Sequence, residues 1–310
     1  MKNLVLMFPG QGSQAVGMGC DMAAALPEMR DAYAEASEVL GYDLQDLCCQ
    51  GPMDRLSRTD FTQPALLAAS VGMFRVLRHE GLEFEVAIGH SLGEFSALVA
   101  TGAVEFRDAL RIVRRRGQEM LRAADANPGG MAAVIGLDDA TVEGLCDGID
   151  GAWPANFNSP GQVVVSGTRA ALEQFGEQAR AAGAKRVISL PVSGAFHSPL
   201  VQSALEPLKE EFERTPWHKP DPRFFSGCTV QYESDDFNHL LQVQLVSPVR
   251  FSQSVKTLYA QGYDSFLEVG PGAVLTGLVK RIEPQAQTAR VSDMESLLAL
   301  RENGRYLEDA

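Results

Sequence analysis

The pentapeptide Gly89-His90-Ser91-Leu92-Gly93 lies between a short apolar, β-branched run, Val86-Ala87-Ile88, and a stretch of helix formers from Glu94 to Ala100. A G-x-S-x-G pattern in that setting requires a strand to turn sharply into a helix, with the serine hydroxyl lifted out of the bend. Glycine and serine are common in ordinary loops, so the flanking strand and helix are what separate a nucleophile elbow from a chance match. The same requirement restricts the architecture to a sheet whose strands end where helices begin. A helix starting just behind the serine brings positive potential and free N–H groups to the place where an oxyanion would form.

The rest of the chain has a matching rhythm. Leu4 to Phe8, Val86 to Ile88, Val187 to Leu190 and Ser265 to Val269 read as strands, and Pro27 to Leu40, Pro64 to His79, Arg107 to Ala124 and Pro199 to Arg214 as helices. Such alternation predicts an α/β fold with a mainly parallel sheet. Beyond Asn127-Pro128-Gly129-Gly130 the order changes. Met131 to Ile135 reads as strand, Asp139 to Asp147 as helix, Trp153 to Asn156 and Gln162 to Ser166 as a hairpin-like pair, Thr168 to Ala182 as helix and Lys185 to Leu190 as strand. That β-α-β-β-α-β order is the ferredoxin-like arrangement. The expected organisation is a large α/β-hydrolase-like domain from residues 1–128 and 193–310, carrying a small ferredoxin-like domain at 129–192.

Composition excludes several classes. Lys plus Arg is 27 and Asp plus Glu is 40, a formal charge of −13, which argues against nucleic acid or an anionic membrane as partner. No apolar stretch approaches the roughly 20 residues needed to span a bilayer, and the five-residue run before Pro9 is too short for a signal-peptide core. The five cysteines, Cys20, Cys48, Cys49, Cys146 and Cys228, lack zinc-type spacing, and adjacent Cys48 and Cys49 are poor candidates for a mutual bridge. They read as reduced thiols of a cytoplasmic protein. Neither H-E-x-x-H nor paired C-x-x-C occurs, so no metal is expected.

A serine nucleophile needs a base. His79, His218 and His239 lie in polar segments, and the His90 side chain should point away from the serine across the turn. His197, in Ser193-Gly194-Ala195-Phe196-His197-Ser198-Pro199, follows an expected strand end and opens a helix, the corner where ligands collect in such sheets. One oxyanion donor should be the N–H of Leu92, the residue after the nucleophile. Pro9-Gly10-Gln11-Gly12-Ser13-Gln14, after the first strand, suits the second, although P-G-Q-G is also simply a good turn.

Seven segments occur in order: Phe8 to Gln14, Thr62-Gln63-Pro64-Ala65-Leu66, Gly89 to Glu94, Asn158-Ser159-Pro160-Gly161-Gln162, Gly194-Ala195-Phe196-His197, Ser247-Pro248-Val249-Arg250-Phe251 and Glu268-Val269-Gly270-Pro271-Gly272. Together they resemble the malonyl-CoA:acyl carrier protein transacylases and the acyltransferase domains of polyketide synthases, over nearly the whole chain. The resemblance implies a Ser91–His197 dyad, with the N–H groups of Gln11 and Leu92 holding the oxyanion and a backbone carbonyl near Pro248-Val249-Arg250, assigned to Arg250, orienting the histidine. It implies that Arg116 pairs with the malonyl carboxylate, with Gln63, His90, Phe196 and Asn158 also at the substrate pocket. Guanidinium suits that role, because its fork grips a carboxylate bidentately. Arg114, Arg115 and Arg116 are consecutive; on a helix they lie about 100° apart, so at most one enters a cleft. Arg114 and Arg115 are left as surface or carrier-facing residues, and Arg111, Arg114 and Arg115 as the one candidate basic patch.

The implied partners are malonyl-CoA and an acyl carrier protein; the coenzyme A thioester is substrate, and no bound cofactor is implied. Phe196 and Leu92 fit the malonyl-selective pattern, since a bulky ring before the histidine leaves little room for an α-methyl group. The chain departs from the family pattern twice. Arg250 stands where relatives of fatty acid synthesis often carry glutamine and polyketide relatives arginine, which leaves the pathway open. Gly227 stands where asparagine is usual, which removes a hydrogen-bonding side chain and predicts a looser pocket nearby. A trans-acting polyketide acyltransferase is the alternative within the family. An acyl-carrier thioesterase would share the dyad but gains little from a carboxylate clamp, and a non-catalytic carrier-binding module would not need every catalytic position filled.

Overall fold

A five-residue apolar strand with no polar face must be covered on both sides. β1 (Leu4–Phe8) meets that demand: all five residues are buried at the centre of the larger of two sheets. The computed structural model describes residues 3–303. In chain order the further strands are β2 (Val86–Gly89), β3 (Gly129–Ile135), β4 (Ala152–Ser159), β5 (Gln162–Thr168), β6 (Arg186–Ser189), β7 (Arg223–Ser226), β8 (Gln231–Glu233), β9 (Ser265–Val269) and β10 (Gln287–Val291).

The larger sheet runs β10-β9-β1-β2-β7-β8. Its first five strands are parallel neighbours, and β8 pairs antiparallel with β7 at the edge. Parallel strands need long crossovers, and helices supply them, so the carboxyl ends of β1, β2 and β9 open onto one rim. The second sheet is antiparallel throughout, in the order β4-β5-β3-β6. Its elements follow one another as β3, helix Asp139–Asp147, β4, β5, helix Arg169–Ala181 and β6, the order expected from the sequence. β4 of the second sheet is tied to the segment between helices Phe237–Val246 and Phe251–Ala260, where the Phe157 N–H donates to the Val249 carbonyl and the Val249 N–H donates to that of Ala155, both at 2.8 Å.

The expected helices form with shifted boundaries: Arg107 to Ala124 is observed as Phe106–Ala126, and the stretch Pro199 to Arg214 opens as a 3-10 helix, Pro199–Ala204, before the α-helix Leu205–Arg214. Helix Thr59–His79 begins five residues before Pro64, which lies inside it. Proline there forfeits one i to i−4 hydrogen bond, but the segment is buried almost throughout and packing holds the helix. Helix Phe106–Ala126 crosses it so closely at Gly117 that a Cβ there would lie 2.7 Å from the Thr59 carbonyl oxygen.

The cysteines are not all reduced thiols. Cys20 and Cys49 form a disulfide, while Cys48, Cys146 and Cys228 are free. The Gly17 N–H donates to the Cys48 carbonyl at 2.7 Å, which docks the loop after β1 on the end of helix Leu44–Gln50 and brings the two sulfurs together. Sequence spacing could exclude the pair Cys48–Cys49, but it carried no information on a contact made 29 residues apart. Among the described residues no helix is long and apolar enough to cross a membrane, and no three His, Cys, Asp or Glu side chains gather as a metal site.

Candidate active site

The elbow forms because only glycine fits at its two ends. A Cβ on Gly89 would lie 1.9 Å from the Gly93 carbonyl carbon, and one on Gly93 would lie 2.0 Å from the Phe8 carbonyl oxygen. These contacts press the end of β2 against the start of helix Gly93–Ala100 and force Ser91 to a φ of 53°, a left-handed conformation costly for a side-chain-bearing residue. His197 also has a positive φ, 57°. The two residues meet: Ser91 Oγ lies 2.7 Å from His197 Nε2.

Hydrogen-bond chemistry fixes the histidine tautomer. Nδ1 faces two carbonyl oxygens, of Gln244 at 3.1 Å and Ser247 at 3.0 Å, so it carries the proton and Nε2 is left to accept from the Ser91 hydroxyl. Burial, reinforced by the Arg116 charge, lowers the His197 pKa to about 3, so the ring is neutral and available as a base at ordinary pH. The orienting carbonyl is therefore not that of Arg250, which accepts from Ser254 in the next helix. The physical reason is the end of helix Phe237–Val246: its last carbonyls have no partner within the helix, and the chain leaves it directly beside His197. Arg250 turns outward instead, its guanidinium 5.1 Å from the centre of the Phe157 ring.

A cavity of about 500 Å³ opens over the dyad, lined by Gln11, His90, Ser91, Leu92, Arg116, Phe196 and His197 among others. That volume suits a small acyl thioester. Leu92 precedes the first turn of helix Gly93–Ala100, and its N–H has no acceptor among the described residues; nor has that of Gln11. Gly10 brings the Gln11 loop against the elbow, since a Cβ there would lie 2.3 Å from the His90 carbonyl oxygen. Two free backbone donors thus border the serine.

Arg116 is 2% exposed and its acceptors are neutral: Gln63 Oε1 at 2.9 Å, Gln244 Oε1 at 3.3 Å and Ser91 Oγ at 3.4 Å. Burial lowers its pKa to about 10, with Glu94 pulling the other way, so it remains charged at neutral pH. A buried cation held by neutral oxygens beside a nucleophile is matched to an anionic ligand. Arg114 and Arg115 do not make a basic patch. Arg114 donates to the Leu40 carbonyl at 2.7 Å, Arg115 pairs with Glu119 at 2.9 Å, and Arg111 pairs with Asp108.

Two expected pocket residues act one step back. Gln63 is fully buried and offers its carbonyl to Arg116. The His90 Nε2–H donates to Asn158 Oδ1 at 2.9 Å, and it is His90 that borders the cavity. Phe196 is buried at the wall, and its carbonyl accepts from Ser166 at 2.5 Å. His79, His218 and His239 are exposed, as their polar surroundings indicated.

The sequence reading missed Gln244 and Glu94. Gln244 Nε2 donates to the Ser91 carbonyl at 2.9 Å and to Glu94 Oε2 at 3.1 Å. Glu94 Oε1 accepts from the Gly227 N–H at 2.5 Å and from Ser226 Oγ at 3.0 Å. Burial pushes the Glu94 pKa up to about 7 against these donors. Gly227 loses a side chain yet is not loose: its N–H holds Glu94 and its carbonyl accepts from the Arg250 N–H at 2.7 Å. Glu94 sat inside the quoted elbow segment; a buried carboxylate in the first helical turn was the available signal. Gln244 had none, because it reaches the site from 153 residues away.

A strained serine, a neutral histidine, free backbone donors and a buried guanidinium on the rim of a parallel sheet define an acyltransferase-type centre, and the family comparison agrees. Residues 5–308 match the acyl transferase domain. The chain belongs to that family, among the malonyl CoA-acyl carrier protein transacylases. It is 43% identical over 305 residues to the malonyl CoA-acyl carrier protein transacylase of Escherichia coli K12, covering 96% of this chain and 99% of that one. The Bacillus subtilis transacylase is 40% identical over 303 residues, 96% of each chain. Among solved structures, an acyl carrier protein S-malonyltransferase from Vibrio cholerae superposes with a TM-score of 0.93 at 44% identity, over 96% of this chain and all of that one. A malonyl-transacylase solved in complex with a holo type II polyketide synthase acyl-carrier protein gives 0.94 at 42% identity, over 97% of this chain and all of that one.

Proposed function

We propose that this protein transfers a malonyl group from malonyl-CoA to the phosphopantetheine thiol of an acyl carrier protein through a malonyl ester on Ser91. The observation that carries the proposal is the Ser91 Oγ to His197 Nε2 contact of 2.7 Å with the Arg116 guanidinium 3.4 Å from the same oxygen. His197 takes the hydroxyl proton as Oγ attacks the thioester carbonyl, and the N–H groups of Gln11 and Leu92 hold the oxyanion. The intermediate collapses by breaking the C–S bond, and the imidazolium returns its proton to the departing coenzyme A thiolate. The carrier thiol then gives its proton to His197 and attacks the ester carbonyl; the second intermediate collapses by breaking the C–O bond, and the imidazolium returns the proton to Ser91 Oγ, so atoms and charges balance over the two halves. Arg116 holds the malonyl carboxylate, with Gln63 and His90 shaping its surroundings and Phe196 closing the wall near the α-carbon.

No bound cofactor enters these steps, and a cytoplasmic setting fits them. The large domain, assigned to residues 1–128 and 193–310, is α/β-hydrolase-like in this reading, and residues 129–192 form a ferredoxin-like domain, in keeping with the β4-β5-β3-β6 order. A polyketide carrier as acceptor is the second reading, favoured by Arg250 and by the likeness to the transacylase bound to such a carrier. The test follows decay of the malonyl-enzyme mass with holo carrier protein, apo carrier protein or buffer. Holo carrier should discharge it much faster than the other two. Equal decay in all three, with free malonate as product across several carriers, would turn the reading to a thioesterase.

A further inference from the structure

Glu94 and Gln244 are each 1% exposed, and every polar atom of both side chains is engaged. Their bonds have a direction. Glu94 Oε1 is anchored by two donors, the Gly227 N–H and the Ser226 hydroxyl. Its Oε2 therefore faces Gln244 as an acceptor, and the Ser91 carbonyl presents a second acceptor to the same atom. Only the –NH₂ end of the Gln244 amide satisfies both. Turned over, the amide would set its oxygen against the Ser91 carbonyl and its –NH₂ against the Arg116 guanidinium, which has only donors, and neither clash depends on the charge of Glu94. With the amide held as it is, Oε1 accepts from Arg116 and, with Gln63, fixes the plane of the guanidinium.

We infer that Glu94, acting through the amide of Gln244, is the positioning device that sets Arg116 for the carboxylate of the acyl group. The inference rests on the proposed role of Arg116 as carboxylate clamp and adds to it: selectivity for an acidic acyl group depends on a carboxylate that never touches substrate. Gln244 is a positioning residue twice, by its side chain toward Arg116 and by its backbone carbonyl toward His197. Replacement of the side chain therefore separates the two roles, because the carbonyl that holds the base stays.

The test measures Ser91 acylation by malonyl-CoA and by acetyl-CoA, followed by intact mass, in wild type, Glu94→Gln, Gln244→Met, their double variant and Arg116→Ala. Loss of one hydrogen bond to a charged group predicts a fall in the malonyl-to-acetyl efficiency ratio of about tenfold in each single variant. The fall should lie in malonyl-CoA KM more than in kcat. The double variant should be no worse than the worse single, because both act on one chain of bonds. If Glu94→Gln does not fold, Ser226→Ala, which frees one anchor of the carboxylate, replaces it with a smaller selective loss expected. An unchanged ratio in Gln244→Met, or losses that multiply, overturns the inference while a selective loss in Arg116→Ala leaves the clamp standing. A ratio unchanged in Arg116→Ala overturns the clamp itself and the inference with it.

Discussion

Arg116→Ala is the perturbation whose size follows most directly from the site. The guanidinium is buried, charged at neutral pH and held by neutral oxygens. A carboxylate about 4 Å away interacts with it by about 4 kcal/mol at an effective dielectric of about 20. Truncating one partner of a hydrogen-bonded charge pair costs about 2–5 kcal/mol. A middle value of about 3 kcal/mol lowers malonyl transfer by roughly a hundredfold. Alanine also leaves Gln63 and Gln244 facing a void, but that cost is shared by every acyl donor and cancels in a ratio. A further change favours the neutral donor: the Arg116 charge depresses the His197 pKa, so its removal makes the base stronger. The ratio of malonyl-CoA to acetyl-CoA efficiency should therefore fall by about a hundredfold, with Arg116→Lys in between because it keeps the charge and loses the fork. The assay is acylation of Ser91 by each donor, read by intact mass. Equal losses for the two donors would show that Arg116 is structural, and the reasoning would fail.

Three other outcomes follow from the same structure. Because the His197 pKa lies at about 3, below its ordinary value, the base stays unprotonated until the pH falls toward that value; acetyl-CoA, which makes no use of Arg116, should acylate Ser91 with no loss between pH 7 and pH 5. A histidine titrating near its usual 6.5 would instead lose about 25-fold over that range. Reduction of the Cys20–Cys49 bridge, or Cys20→Ser, should lower stability by about 3.5 kcal/mol on loop-closure grounds, read as a drop in Tm; an unchanged Tm would show that the bridge does not constrain the unfolded chain. Gly93→Ala forces a Cβ to 2.0 Å from the Phe8 carbonyl oxygen, so acylation should fall at least a hundredfold, the usual cost of a lost oxyanion donor, and a variant of normal rate would show that the elbow yields easily.

Legibility in the sequence followed the range of the interactions. The elbow was readable because its demands are local: a strand, two glycines at positions where any Cβ would come within about 2 Å of neighbouring backbone, and a helix within fifteen residues. The strand and helix order of the second sheet was readable for the same reason, through the change from β-branched runs to helical spacing, as were β1, β2 and β9 of the larger sheet; its short strands β7, β8 and β10 were not read. His197 was reached partly by elimination, since His79, His218 and His239 lie in polar segments and His90 was expected to point away, and partly by its place where a strand gives way to a helix. Arg116 needed the family register, because nothing in a run of three arginines says which one a helix turns inward. The histidine's true carbonyl partners, Gln244 and Ser247, were not legible, because backbone carbonyls carry no residue signature and a helix end donates them by position alone. The Cys20–Cys49 pair and the Gln244 amide share that character: both depend on where distant segments dock.

The central claim is that Ser91, with His197 as base, carries the acyl group between two thiols. Its most direct measurement is peptide mapping of the protein after brief mixing with malonyl-CoA, repeated with Ser91→Ala and His197→Ala. A malonyl ester should form on the peptide bearing Ser91, be absent from Ser91→Ala, form far more slowly in His197→Ala, and be removed by holo carrier protein with malonyl-carrier as product. Malonyl found on a cysteine, or an adduct that persists in Ser91→Ala, would contradict it.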